Sequence, residues 1–415
     1  MTQRGFLYSS GVTYLGTIGS VLCLAGFYGI SLRVGTEAFG ALQSTLSAMF
    51  LLLAGRSAAA SYVVIHAAGD ERRLAGVAKR GTFLASLVGL GIAGLFAILA
   101  PFLRDFLHLE SSFSFVLIGI AAIPGMFASA GEGILNVQKR FAALAVSSVL
   151  VPLTNFLLAI FLLRDGMSGM DAGLIVLGSQ SISCLNFLMV DWTSLRGGKP
   201  FTEHASSLAE IGTLMAASLL LGLSLRMDIL WARHLLPEAK AGSYAVAAMI
   251  AVVLYIITSG AARVTTVSLR SGGGIRVIGA SYALIVGTAA VLAGAFAVIG
   301  QPTLHILAGR EIPIDWPVLL PLFIALTCYS TIMFDFSCLN VVTKRVHLGF
   351  AVILVVTQAT ALTVFGMDAL TIAWSQCVVM ATLAIIFALS LIRAARSMQS
   401  GPVTHPAEPH LATQG

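Results

Sequence analysis

The chain is 415 residues long, 58% hydrophobic and only 10% charged, with a mean hydropathy of +0.94. A soluble domain carries about a quarter of its residues as Asp, Glu, Lys or Arg, so this composition excludes an ordinary water-soluble fold. The net charge of +6 comes without any basic run interleaved with aromatics, which argues against nucleic acid and for contact with anionic lipid.

Runs of about 20 apolar residues cross a bilayer as helices, because no other open structure satisfies its own backbone there. Twelve such spans are expected in chain order: Tyr8–Leu32, Phe39–Ile65, Thr82–Leu103, Phe113–Leu135, Phe141–Leu163, Gly173–Val190, Ile211–Leu235, Gly242–Val264, Val277–Ile299, Val318–Val341, Leu348–Phe365 and Leu370–Ile392. The first run lacks a strongly basic leader and a small-residue cleavage site, so it reads as a retained helix. Between the second and third spans, His66–Arg80 is expected to be either a short surface helix on anionic lipid or a solvated turn. The longest loop of the opposite face is expected at about Gly300–Pro317. Gly272-Gly273-Gly274 reads as flexible linkage, and the tail after Ser400 as disordered.

Placing the N-terminus in the cytoplasm puts 16 cations inside, 6 outside, and leaves Arg56 and Arg226 within spans. The inside group includes Arg72, Arg73, Lys79, Arg80, Lys139, Arg140, Lys344 and Arg345; the outside group includes Arg33, Arg104 and Arg233. This bias predicts a multi-pass protein of the inner membrane with both termini cytoplasmic. The five cysteines all lie within spans and suggest neither a disulfide framework nor a metal site. No cofactor is implied.

The chain repeats itself. Glu37 and Gly40, after the first span, match Glu238 and Gly242, after the seventh; LNVQKR at Leu135–Arg140 matches LNVVTKR at Leu339–Arg345. Offsets of 201 to 204 residues imply an all-α polytopic membrane protein of two six-helix lobes. Six spans per half keep both lobes in one orientation, related by an axis along the membrane normal. The expected division is an N-terminal lobe over 1–193, a cytoplasmic linker over 194–209 within the stretch Asp191–Glu210, a C-terminal lobe over 210–396 and a tail over 397–415.

Ionised groups at bilayer depth cost about 2.5–3.5 kcal/mol each on insertion scales, so they mark cavities or partners. Arg56, Glu132 and Asp335 lie toward the inner ends of their spans, and Arg226 and Asp228 in the outer third of the seventh. Each has a plainer reading. Arg56 could snorkel, Glu132 could cap its own helix near Lys139, Asp228 could anchor the boundary, and Asp335 could be a neutral buried carboxyl. Arg226 and Asp228, two apart, point to different sides of one helix and do not pair simply. A guanidinium in a cavity suits a phosphate, and an acid beside it suits exchange of H⁺ or Na⁺.

The segment Leu225–Thr258 has an Asp near a helix exit, a short turn, Gly-x-Tyr and a small-residue helix; Gly131–Leu163 supplies a matching helix pair. Both resemble bacterial oligosaccharide-lipid flippases of the multidrug/oligosaccharidyl-lipid/polysaccharide exporter superfamily. The resemblance implies a V-shaped pair of lobes that moves polyprenyl-diphosphate-linked glycan between leaflets on an H⁺ or Na⁺ gradient. It places Asp228 and Tyr244 on the matched segment, with Arg226 beside the acid. Arg56, Arg226 and Tyr244 are then expected to bind substrate, and Glu132, Asp228 and Asp335 to couple the ion. The expected partners are the lipid-linked glycan, the ion, membrane lipids, and a glycan polymerase with other assembly proteins. A multidrug or cation antiporter of the same superfamily is the alternative. A membrane glycosyltransferase or polymerase ranks below both, since no Asp-x-Asp pair is present and His66, His108, His204, His234, His305 and His347 fall in different loops. No enzyme activity is expected.

Overall fold

A computed structural model describes residues 3–67, 71–163, 169–196, 206–270, 275–312, 314–343 and 347–400. It contains twelve α-helices and, among the described residues, no strand. The helices are α1 (Gln3–Arg33), α2 (Thr36–Ala67), α3 (Glu71–Phe106), α4 (Phe113–Val137), α5 (Phe141–Leu162) and α6 (Asp171–Arg196), then α7 (Ser206–Leu235), α8 (Glu238–Arg270), α9 (Ile275–Ala308), α10 (Trp316–Thr343), α11 (Leu348–Phe365) and α12 (Ala369–Ser400). Eleven of them carry, over described residues, a stretch long and apolar enough to cross a membrane. The protein is a multi-pass membrane protein.

Helices form because each run satisfies its own backbone, and side-chain size decides how closely they pack. In the N-terminal half α4 is the hub, packing on α2, α3 and α6, while α1 pairs with α5. The C-terminal half repeats this: α10 packs on α8 and α12, and α7 pairs with α11. Burial follows the same scheme, with 67% of the α4 span and 61% of the α10 span buried against 17% for α5 and 22% for α11. The expected two lobes of six helices are the observed architecture. One pairing is unequal: α3 runs along α4, whereas α9 touches α10 at few places. The outer faces carry exposed Leu95, Ile98, Phe161, Val291, Val298 and Ile306, an apolar coat suited to acyl chains.

The lobes meet along α2 against α7 and α8, and along α1 against α8 and α9. At the heart of this seam Gly40 and Gly242 touch backbone to backbone. A Cβ on Gly40 would lie 2.9 Å from the Gly242 Cα, and one on Gly242 would lie 2.4 Å from the Thr36 carbonyl oxygen. A residue and its repeat mate meet only where the axis relating the halves passes. Gly242 lies one residue past the position 201 beyond Gly40, so their contact sits beside that axis.

Several sequence expectations need correction. Residues 71–80 are not a separate surface helix; they are the first turns of a continuous α3, and 68–70 lie outside the described residues. Four cations depress hydropathy there without weakening helix propensity. The expected long loop at 300–317 is short, because α9 continues through Pro302 to Ala308. Within the stretch expected as linker, α6 extends to Arg196 and α7 starts at Ser206; 197–205, the triple glycine and the tail lie outside the described residues.

Candidate functional site

Buried polar groups collect in three places. The first lies inside the N-terminal lobe. Arg56 of α2 is buried, and its Nη2 donates to Glu132 Oε1 of α4 at 2.5 Å; Nη1 donates to Gln180 Oε1 of α6 at 2.5 Å, and Nη2 also approaches Ser183 Oγ at 3.3 Å. Gly133 lets α4 lie close to α2, where a Cβ on it would strike the Ala60 carbonyl at 2.7 Å. Arg56 is thus held within its own lobe. Glu132 does not cap its helix toward Lys139 but turns to the guanidinium. Its side chain keeps 33% of its surface exposed, against 9% for Arg56.

The second cluster sits at the seam. Arg226 of α7 is among the most buried side chains in the protein, and its charge acts on Tyr28 of α1 across the lobe boundary. Its charge also acts on Asp228 and on Tyr329 of α10. Asp228 accepts a 3.0 Å hydrogen bond at Oδ2 from the Tyr244 hydroxyl of α8. Asp228 thus turns toward α8, while Arg226 acts on α1, α10 and Asp228 itself. Tyr329 donates to the Leu221 carbonyl at 2.7 Å and packs edge-on against Tyr255.

The third lies in the C-terminal lobe. Asp335 of α10 is fully buried and accepts a hydrogen bond at Oδ1 from the Tyr282 hydroxyl of α9; its Oδ2 has no hydrogen-bond partner among the described residues. Elsewhere in the same lobe, Ser224 donates to Gln358 Oε1 at 2.6 Å, and Gln358 Nε2 donates to the Ser224 carbonyl at 2.8 Å and to Gln376 Oε1. That network ties α7, α11 and α12 together.

The predicted residues therefore fall into three groups: Arg56 with Glu132, Arg226 with Asp228 and Tyr244, and Asp335 by itself. Sequence reasoning missed Gln180, Tyr282, Tyr28, Gln358 and Gln376. A lone glutamine inside an apolar run was the available signal for three of them. His108 and His234, read as scattered, instead stack with ring centroids 5.8 Å apart. No group of three or more His, Cys, Asp or Glu fit to hold a metal occurs among the described residues.

No family model matches the sequence, and no curated protein matches it. Solved structures do match. A MOP superfamily transporter from Pyrococcus furiosus aligns over 96% of this chain and 97% of its own, at 15% identity and a TM-score of 0.69. The chain has the fold of a MOP-superfamily transporter. The Vibrio cholerae MATE transporter VcmN, in a single-residue mutant form, aligns over 95% of this chain and 99% of its own at 15% identity and TM-score 0.67. The eukaryotic MATE transporter AtDTX14 aligns over 95% and 98% at 13% identity and TM-score 0.64. Inward-facing and outward-facing MATE structures are both among the matches, with TM-scores of 0.66 and 0.68.

Proposed function

We propose that this protein is an exporter that works by alternating access, exchanging an organic cation or amphipathic drug-like solute for H⁺ or Na⁺. The observation that carries the choice of cargo is the Arg56–Glu132–Gln180 cluster. A guanidinium already committed to a carboxylate and an amide inside one lobe has no fork of donors to offer a diphosphate. The acids that remain, Asp228 and Asp335, each take a hydrogen bond from a tyrosine and are the groups that exchange the driving ion. An acid that binds a proton or Na⁺ in one conformer and releases it in the other supplies the differential affinity that coupling requires. The orientation with both termini in the cytoplasm puts the Gly40–Gly242 seal on the outer face. The conformer described is then closed to the outside.

A second reading stays in play: transfer of a polyprenyl-diphosphate-linked glycan. Arg226 favours it, as a buried guanidinium at the boundary that separation of the lobes would uncover. The P. furiosus neighbour is itself described as having a binding pocket of reverse polarity, suggesting a different function. Purified protein in liposomes, with an H⁺ or Na⁺ gradient imposed, separates the two. Gradient-dependent movement of a fluorescent organic cation supports the antiporter. Movement of a polyprenyl-diphosphate sugar with no cation flux refutes it and establishes the second reading.

A further inference from the structure

Both latches that hold the lobes together are built on the same plan. In the first, Arg233, on the last turn of α7, reaches across to the end of α3 in the other lobe. Its Nε donates to the Leu107 carbonyl at 3.1 Å and its Nη2 to the His108 carbonyl at 3.3 Å; Nη2 also pairs with Glu238 of α8 at 3.0 Å. Beside it His234 meets the Phe106 carbonyl through Nδ1 at 2.9 Å, so that nitrogen carries the hydrogen. The His234 ring lies flat on Phe106, centroids 4.2 Å apart. In the second latch Arg33, on the last turn of α1, donates through Nε to the Leu307 carbonyl at the end of α9 at 3.4 Å.

The two are related by the repeat. His234 and Arg33 are 201 residues apart, and so are Leu307 and Phe106, and so are the left-handed residues that end the two helices, Gly309 (φ +68) and His108 (φ +51). In each case a basic residue at the end of the first helix of one lobe meets a C-terminal carbonyl of the third helix of the other; Arg233, one residue before His234, has Leu32 as its repeat mate and is an addition peculiar to the first latch. A helix C-terminus carries partial negative charge, so a cation is the group that fits there. The latches flank the Gly40–Gly242 contact on either side of the axis.

They are not equal. Arg233 is 5% exposed, makes three contacts and is supported by the stacked rings of Phe106, His234 and His108. Arg33 is exposed and makes one long contact. Charge-assisted hydrogen bonds shielded from water are worth more than exposed ones. His108 also holds φ +51, a region that a side chain other than glycine seldom adopts, where the matching position in α9 is glycine. We infer that Arg233 is the pin of the outer gate: its capping of α3 sets how often the lobes part on the outer face, and the Arg33 latch is a weak partner that yields first.

This rests on the alternating-access reading for the parting of the lobes and on the cytoplasmic placement of both termini for calling the sealed end outward, and its test needs no cargo. Ser44 is one turn below Gly40 on the same face of α2 and is 1% exposed, so Ser44→Cys is a reporter of the seam at small cost in shape. The four cysteines other than Cys338 are replaced by alanine; Cys338, fully buried in the C-terminal lobe, is kept as an unfolding control. Sealed right-side-out vesicles are exposed to a membrane-impermeant maleimide, and labelling at positions 44 and 338 is read by mass spectrometry. Arg233→Met is expected to raise the labelling rate at position 44 on the order of tenfold, the shift that one lost charge-assisted hydrogen bond produces, with position 338 silent. Arg33→Met is expected to raise it less than twofold. Labelling unchanged by Arg233→Met, or raised equally by Arg33→Met, overturns the inference. Should position 338 label in Arg233→Met, Arg233→Lys decides instead: a rise of about threefold with position 338 silent supports the pin, and no rise overturns it.

Discussion

Removing either partner of the Arg56–Glu132 pair tests how the N-terminal lobe holds its charge, because the two losses are not equivalent. Glu132→Gln leaves a guanidinium at 9% side-chain exposure with neutral oxygens from position 132, Gln180 and Ser183 but no counter-charge. Breaking a fully buried pair this way costs about 3–5 kcal/mol. One partner here is a third exposed, so we expect about 2–3 kcal/mol after discounting for solvent. Arg56→Met instead leaves the carboxylate that already touches solvent, and it can rehydrate; about 1 kcal/mol is expected. The double variant Arg56→Met/Glu132→Gln, with no charge left to strand, should be more stable than Glu132→Gln by about 1 kcal/mol or more. Thermal unfolding in detergent, followed by loss of the monodisperse peak, reads all four proteins. A double variant that is simply the sum of the singles, or an Arg56→Met loss larger than that of Glu132→Gln, refutes the reasoning.

Other outcomes follow from the same geometry. Gly242→Val should wedge the seal, since its first carbon would already lie 2.4 Å from the Thr36 carbonyl; labelling of Ser44→Cys from outside should rise well above that of the parent. Gly40→Ala, 2.9 Å from a backbone carbon, should act in the same direction and more weakly. Tyr282→Phe removes the hydrogen bond donated to Asp335 and should destabilise the protein by about 1–3 kcal/mol, the usual cost of a stranded buried acceptor. The loss should vanish in an Asp335→Leu background when measured by thermal unfolding. Gln358→Leu strands Ser224 and Gln376 together and should cost more than Gln376→Leu, with the order read by the same assay.

What the sequence disclosed and what it hid divide along one physical line. Hydropathy is a local property, so runs such as Phe113–Leu135 and Leu348–Phe365 announced their helices within a few residues of the observed ends. The repeat was legible because Gly40 and Gly242 must be small for the backbones to meet, and that requirement is written at each position separately. Arg56 and Glu132 were each visible as charges out of place, but not as a pair, since nothing local encodes a contact 76 residues away. Arg233 was missed altogether. At a helix end it counted as an ordinary loop cation, and only the docking of α3 from the other lobe buries it. His108 and His234 were set aside for the same reason. The run from Glu71 to Arg80 misled in the opposite sense, because its charges broke the apolar signal while its residues still favoured helix.

In the proposed transport cycle the two lobes move against each other about the axis beside Gly40 and Gly242. Spin labels on exposed Glu110 and Lys240 report the sealed end, and labels on exposed Lys139 and Arg393 report the opposite end. Pulsed electron-resonance distances are measured on both pairs in liposomes, at rest and under an imposed H⁺ or Na⁺ gradient with cargo present. The predicted result is opposed change, the Glu110–Lys240 distance growing as the Lys139–Arg393 distance shrinks. Distances that stay fixed, or that lengthen together, contradict it.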